Sequence, residues 1–130
     1  MRAFLTGLSL LVLAACGSSG TGPDGGAVIG GVFTLTAVDN KPLPVAFADS
    51  TLKSGTLTVT DVGWTQVVVV LYAAGGNPAG DTLTQGGSWV TNGSNLTLYD
   101  YSNTTAYTGS FTPTSITLNT KTASVLSYTK

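Results

Sequence analysis

The chain has no histidine, no glutamate, one cysteine and a single arginine, at position 2. Each scarcity removes a class of chemistry. Without histidine, and with Cys16 as the only thiol, zinc ligand sets and His-assisted or thiol nucleophiles are excluded from the rest of the chain. One cysteine allows no intrachain disulfide. Only 8% of residues are charged and the net charge is -1. Lys41, Lys53, Lys121 and Lys130 are scattered, so no basic patch exists to neutralise phosphates, and nucleic-acid binding is disfavoured. No calcium-loop pattern is present. The six acidic residues are all aspartates. Asp39, Asp61, Asp81 and Asp100 fall in or beside predicted turns and strand ends, where a carboxylate caps its own backbone. No spacing pairs two of them as the acid and base of a hydrolase. The expectation is a non-enzymatic protein without metal or cofactor.

The N-terminal segment carries the most specific pattern. Met1-Arg2, an apolar stretch from Ala3 to Leu13 and the small pair Ala14-Ala15 have the layout of a secretory signal. The stretch is too short for a spanning helix, which needs about 20 apolar residues. Leu13-Ala14-Ala15-Cys16 resembles the lipobox of bacterial lipoproteins, and Gly17-Ser18-Ser19-Gly20 resembles the small-residue start of their mature chains. The resemblance implies cleavage before Cys16, a diacylglyceryl group on its sulfur, and often a further acyl chain such as palmitate on the freed amine. Each buried methylene adds about 0.8 kcal/mol and one chain anchors only marginally, so two or three chains give a stable anchor. The implied location is the bacterial cell envelope, membrane-bound through Cys16. Gly17 stands where aspartate would resemble an inner-membrane retention signal, so the outer membrane is favoured in a source with two. Residues 17–31 are rich in Gly, Ser and Thr and hold no aromatic, the composition of a tether, with an extra strand using Val28 and Ile29 as the alternative. The chain therefore divides into a signal peptide (1–15), a lipidated cysteine with its tether (16–30) and a folded domain (31–130), long enough for one modest core.

Within the domain no stretch has helical periodicity, whereas alternation with period two recurs. Strands are predicted over 32–38, 56–60, 64–72, 82–91, 95–100, 106–112, 115–119 and 124–129. Asp61-Val62-Gly63 reads as a three-residue hairpin loop with Gly63 free to take positive φ. Gly86-Gly87 reads as a bulge or bend, and Asn92-Gly93 as a tight turn. Eight strands joined mostly by short turns make an all-β antiparallel up-and-down barrel, a number that closes with a filled or nearly filled interior. A two-sheet β-sandwich is the alternative.

Gly31-Val32-Phe33-Thr34-Leu35, Asn40-Lys41-Pro42-Leu43-Pro44, Gly55-Thr56-Leu57-Thr58-Val59 and the stretch from Gly87 to Leu98 resemble the opening strand and repeated hairpins of lipocalin-like bacterial lipoprotein domains. Phe33 stands where the first lipocalin strand usually carries tryptophan. The resemblance spans nearly all of 31–130 and implies a barrel; a fold does not fix a function. The leading expectation is a module that binds a small apolar molecule or lipid inside the barrel. Phe33, Phe47, Trp64, Trp89 and Tyr107 are the candidate ligand-facing aromatics, and core packing is the competing role for each. The alternative is a structural or inhibitory module that binds another envelope protein through its surface, for which Val67 to Leu71 would serve. The longest connection, Asp39 to Ser54, carries Leu43, Val45 and Phe47 between and beyond two prolines. It is expected to lie as a lid over one barrel end, near Phe33 and Trp89. For the anchor, Cys16→Ser is expected to abolish labelling by an alkyne fatty acid and to leave the precursor unprocessed; normal labelling of that variant would refute lipidation at Cys16.

Overall fold

The computed structural model describes residues 29–130; the signal segment, Cys16 and the expected tether up to residue 28 lie outside the described residues. Ten strands and no helix are present among them: β1 (Gly31–Val38), β2 (Lys41–Pro42), β3 (Val45–Ala46), β4 (Ser50–Val59), β5 (Trp64–Tyr72), β6 (Asp81–Asn92), β7 (Asn95–Asp100), β8 (Thr105–Phe111), β9 (Ser115–Asn119) and β10 (Val125–Thr129). The long strands pair antiparallel with their sequence neighbours from β4 through to β10. β1 then pairs with β10 along Thr34–Val38 and with β4 along Gly31–Thr34. That double pairing closes the sheet into an eight-stranded up-and-down barrel of lipocalin-like form and rules out a two-sheet sandwich. β2 and β3 are additions to it.

Turn chemistry explains the connections. Asp39 and Asn40 both have positive φ, 50° and 63°, between the paired residues Val38 and Lys41. This is the backbone of a type I′ hairpin, which Asp and Asn tolerate. Gly93 has φ 60° and leads Ser94 between paired Asn92 and Asn95, so the turn centres on Gly93-Ser94, one residue later than Asn92-Gly93, and fits type II′. Gly63 differs from expectation: its φ is not positive. Glycine is needed there because a Cβ would collide with the carbonyl oxygen of Gly87. Nor is Gly86-Gly87 a bulge. The register through it is continuous, and at Gly87 β6 ends its pairing with β5 and begins its pairing with β7. The irregularities lie elsewhere, at Thr36 in β1, at Lys53 in β4, and between β7 and β8.

The barrel is solid at the end where β1 begins. Phe33, Leu57, Leu96, Leu98, Ile116, Leu118 and Tyr128 are essentially fully buried there, with Val59, Trp64 and Phe111 beside them. The Trp64 indole N–H donates to the Tyr99 carbonyl (2.9 Å) and the Trp89 indole N–H to the Thr60 carbonyl (2.7 Å). Lys130 Nζ donates to the Gly30 carbonyl (2.7 Å) and stands 5.5 Å from the Phe33 ring centroid. Ile29 is buried in this core, so the folded unit reaches at least two residues before the expected boundary at 31.

At the other end the seam between β1 and β4 parts. Beyond Thr34, β1 pairs with β2 on that side, and the first part of β4 pairs with β3. The connection of 39–54 is therefore mostly structured, as two short strands and the first half of β4. Val45 is buried and Leu43 packs partly buried against the core, as a lid requires. Phe47 is not in the lid: it is 48% exposed. The Phe47 N–H donates to the Ser50 carbonyl (2.7 Å), a tight reversal that ends β3. The ring borders an outer hollow with Leu71, Tyr72 and Pro78. The lid also lies at the opposite end from Phe33 and Trp89. An up-and-down chain must place the β1-to-β4 connection at the far end of β1, whereas Phe33 is near its start. Ile29→Ala is accordingly expected to cost about 2–5 kcal/mol, as for other buried large-to-Ala changes, and Phe47→Ala less than about 1 kcal/mol. Denaturant unfolding of the two variants measures both; equal effects would contradict this placement.

Candidate functional site

Alternation along the strands decides what faces the barrel axis. In β5, Trp64, Gln66, Val68 and Val70 share one face; Val67, Val69 and Leu71 share the other. The inward set runs from a buried tryptophan through a buried amide to half-buried valines, and the barrel changes character along it. Above Gln66 lies a cavity of about 320 Å³, open at the lid end, lined by Leu35, Leu52, Gln66, Val68, Leu83, Thr84, Gln85, Tyr107 and Leu126. Its walls are apolar. Its floor is formed by Gln66, Gln85 and Tyr107, with the Tyr128 phenol bonded to Gln66 behind them.

Gln66 organises that floor. It is 3% exposed, and with Thr91 it makes up the buried polar residues among those described. Its Nε2 donates to the Tyr128 hydroxyl oxygen. Its Oε1 accepts from the Tyr107 hydroxyl (2.9 Å) and from Gln85 Nε2. Gln85 Nε2 also donates to the Tyr107 hydroxyl oxygen. Register brings these groups together: Gln66 is directly opposite Gln85 across β5 and β6. Tyr107 arrives from β8 and Tyr128 from β10, across the barrel. Among the described residues no buried side-chain polar atom lacks a partner, which the cost of an unsatisfied buried group demands. Beneath the floor the Trp64 ring meets Tyr107 edge-on, with centroids 5.9 Å apart and planes at 77°, a favourable aromatic geometry.

Burial raises the pKa of both phenols above the ordinary tyrosine value, desolvation outweighing the hydrogen bonds from the glutamines. The floor is therefore neutral throughout the physiological range, and among the described residues no ionisable group other than Tyr107 lines the cavity. Of the aspartates near turns, Asp39 and Asp100 bond to backbone. Asp100 Oδ1 accepts from the Ser102 hydroxyl (2.6 Å) and from the Ser102 and Thr104 N–H groups, bonds that hold its carboxyl below the usual range. Asp39 Oδ1 accepts from the Val125 N–H (2.7 Å). Among the described residues no three His, Cys, Asp or Glu side chains converge as a metal site.

Of the five aromatics singled out in the sequence, Tyr107 alone lines the cavity. Trp64 supports it from below, Phe33 is inside the solid half, Trp89 secures the 60–63 turn, and Phe47 is outside. Gln66 and Gln85 were missed. The signal that could have found Gln66 is its position: it is a polar residue on the inward parity of an otherwise apolar strand. Compared with protein-family models, curated proteins and solved structures, the chain matches none.

The raised phenol pKa values have a consequence for stability. The folded protein retains these protons where the unfolded chain, titrating near pH 10, sheds them. Their contribution is complete below about pH 10 and is lost as pH rises through the folded values. The melting temperature is therefore expected to fall above about pH 10, and less steeply in Tyr128→Phe than in the wild type. Identical slopes would show that Tyr128 is not held protonated by the fold.

Proposed function

We propose that this protein is a membrane-anchored, non-enzymatic module of the bacterial envelope, held by lipid on Cys16, whose barrel binds a small, largely apolar molecule. The observation that carries the binding reading is the cavity: apolar walls, one open end and a few converging polar groups. That is the common composition of ligand pockets, and the volume is at the lower end of their size range of about 300–1,000 Å³. It is roughly twice a cavity of about 150 Å³ that takes up benzene. The space suits a compact ring system or a medium-length chain. The signal and lipobox pattern supports the envelope location. The rival reading, a partner bound through the β5 surface, has less support, because Val67 and Val69 are half-buried among neighbouring strands rather than displayed.

The delipidated protein is expected to bind a neutral environment-sensitive dye with enhanced emission. Leu83→Trp fills the cavity from a wall residue that is already 48% exposed, and it is expected to weaken dye binding at least about tenfold while shifting stability by less than about 1 kcal/mol. Unchanged binding in that variant would place the dye site outside the cavity and count against this function.

A further inference from the structure

The polar floor assigns a chemistry to the ligand, given that the cavity is the binding site. In the arrangement described, both Gln85 Nε2 protons are used, on Gln66 Oε1 and Tyr107 Oη. Gln85 Oε1 has no partner among the described residues, and Gln85 lines the cavity. The floor thus presents one unused acceptor. Hydrogen bonds of this kind also run in the reverse sense. If both amides turn over, Gln66 Oε1 accepts from the Tyr128 hydroxyl, while Gln66 Nε2 donates to Tyr107 Oη and Gln85 Oε1. The Tyr107 hydroxyl then donates to Gln85 Oε1 as well. Every bond is kept, and Gln85 now offers a free N–H. A single amide flip is disfavoured, because it sets two carbonyl oxygens or two amino groups against each other. The floor therefore has two self-consistent orders, one presenting an acceptor and the other a donor, and no charge in either.

We infer that the cavity selects molecules whose apolar body ends in an uncharged hydrogen-bonding group, a hydroxyl or a primary amide, and discriminates against the carboxylate of the same size. A hydroxyl or amide suits either order of the floor. A carboxylate placed head-down would be buried with no lysine or arginine among the lining residues, and an unpaired buried charge is strongly disfavoured. Placed head-out, it would press its apolar tail on Gln85 and leave the free amide atom desolvated without a partner. Asp81 adds to the discrimination: it lies on the same face of β6 as Leu83 and Gln85, towards the open rim.

The test is displacement of the neutral dye from the wild-type delipidated protein by three ligands of one chain length, a primary alkanol, the alkanamide and the alkanoate, at near-neutral pH. The expected order has the alkanol and the amide binding at least about tenfold more tightly than the carboxylate. In Gln85→Leu, alkanol affinity relative to dye affinity is expected to fall several-fold, which separates loss of a hydrogen bond from loss of the pocket. A carboxylate that binds as tightly as the alkanol, or an alkanol indifferent to Gln85→Leu, would overturn the selectivity and leave the cavity reading intact. No displacement by any of the three, with dye binding also unaffected by Leu83→Trp, would overturn the cavity reading and the selectivity with it.

Discussion

The need to satisfy the Gln66 amide inside an otherwise apolar barrel is the constraint on which the arrangement of this domain rests. Gln66 is almost completely buried, and a carboxamide in that position demands partners for both its donor and its acceptor. The partners come from β6, β8 and β10. The network therefore ties β5 to its neighbour and to strands across the barrel, and it holds their register where a slip of one residue would turn every inward side chain outward. It also divides the interior. Below it, large side chains fill the space from wall to wall; above it, the walls are apolar and the space is open.

The open half coincides with a change at the seam between β1 and β4. A bulge at Thr36 in β1 and another at Lys53 in β4 interrupt the two strands that meet at the seam. Bulges increase local twist and bend a strand. β1 and β4 stop pairing with each other at Thr34 and Thr56, short of both bulges, and the connecting segment then pairs with them as β2 on β1 and β3 on β4. Leu43 and Val45 anchor that segment in the core. The lid is thus a fixed part of the barrel wall at this end, and the mouth it leaves is bounded by Leu52 and Leu83.

The barrel was legible in the sequence because its strands are half-buried and alternate. Leu57 and Val59, Leu96 and Leu98, Ile116 and Leu118 all point inward as their spacing predicts. The tight turns at 39–40 and 92–95 carry the residues their backbones require. The first half of β4 was not legible, because the bulge at Lys53 breaks the alternation and the segment reads as polar loop. The lid was half legible: Leu43 and Val45 fit the pattern, but the reversal after Phe47 carries that ring outward. The site was the least legible part. Aromatic residues draw attention as ligand contacts, yet four of the five singled out serve packing, turn support or the outer surface. The groups that give the cavity its chemistry are two glutamines, whose meeting depends on the β5–β6 register, together with tyrosines from strands distant in sequence.

The most direct measurement of the central claim, that a neutral polar floor and apolar walls form one binding site, is a heteronuclear NMR titration of the delipidated protein with a medium-chain alkanol. The account predicts two protected side-chain amide signals for Gln66 and a shift of the Gln85 amide together with the methyl groups of Leu35, Leu83 and Leu126. Leu96 and Leu118, in the solid half, should stay in place. Shifts confined to the outer surface around Phe47 and Tyr72, with the Gln85 amide unmoved, would contradict it.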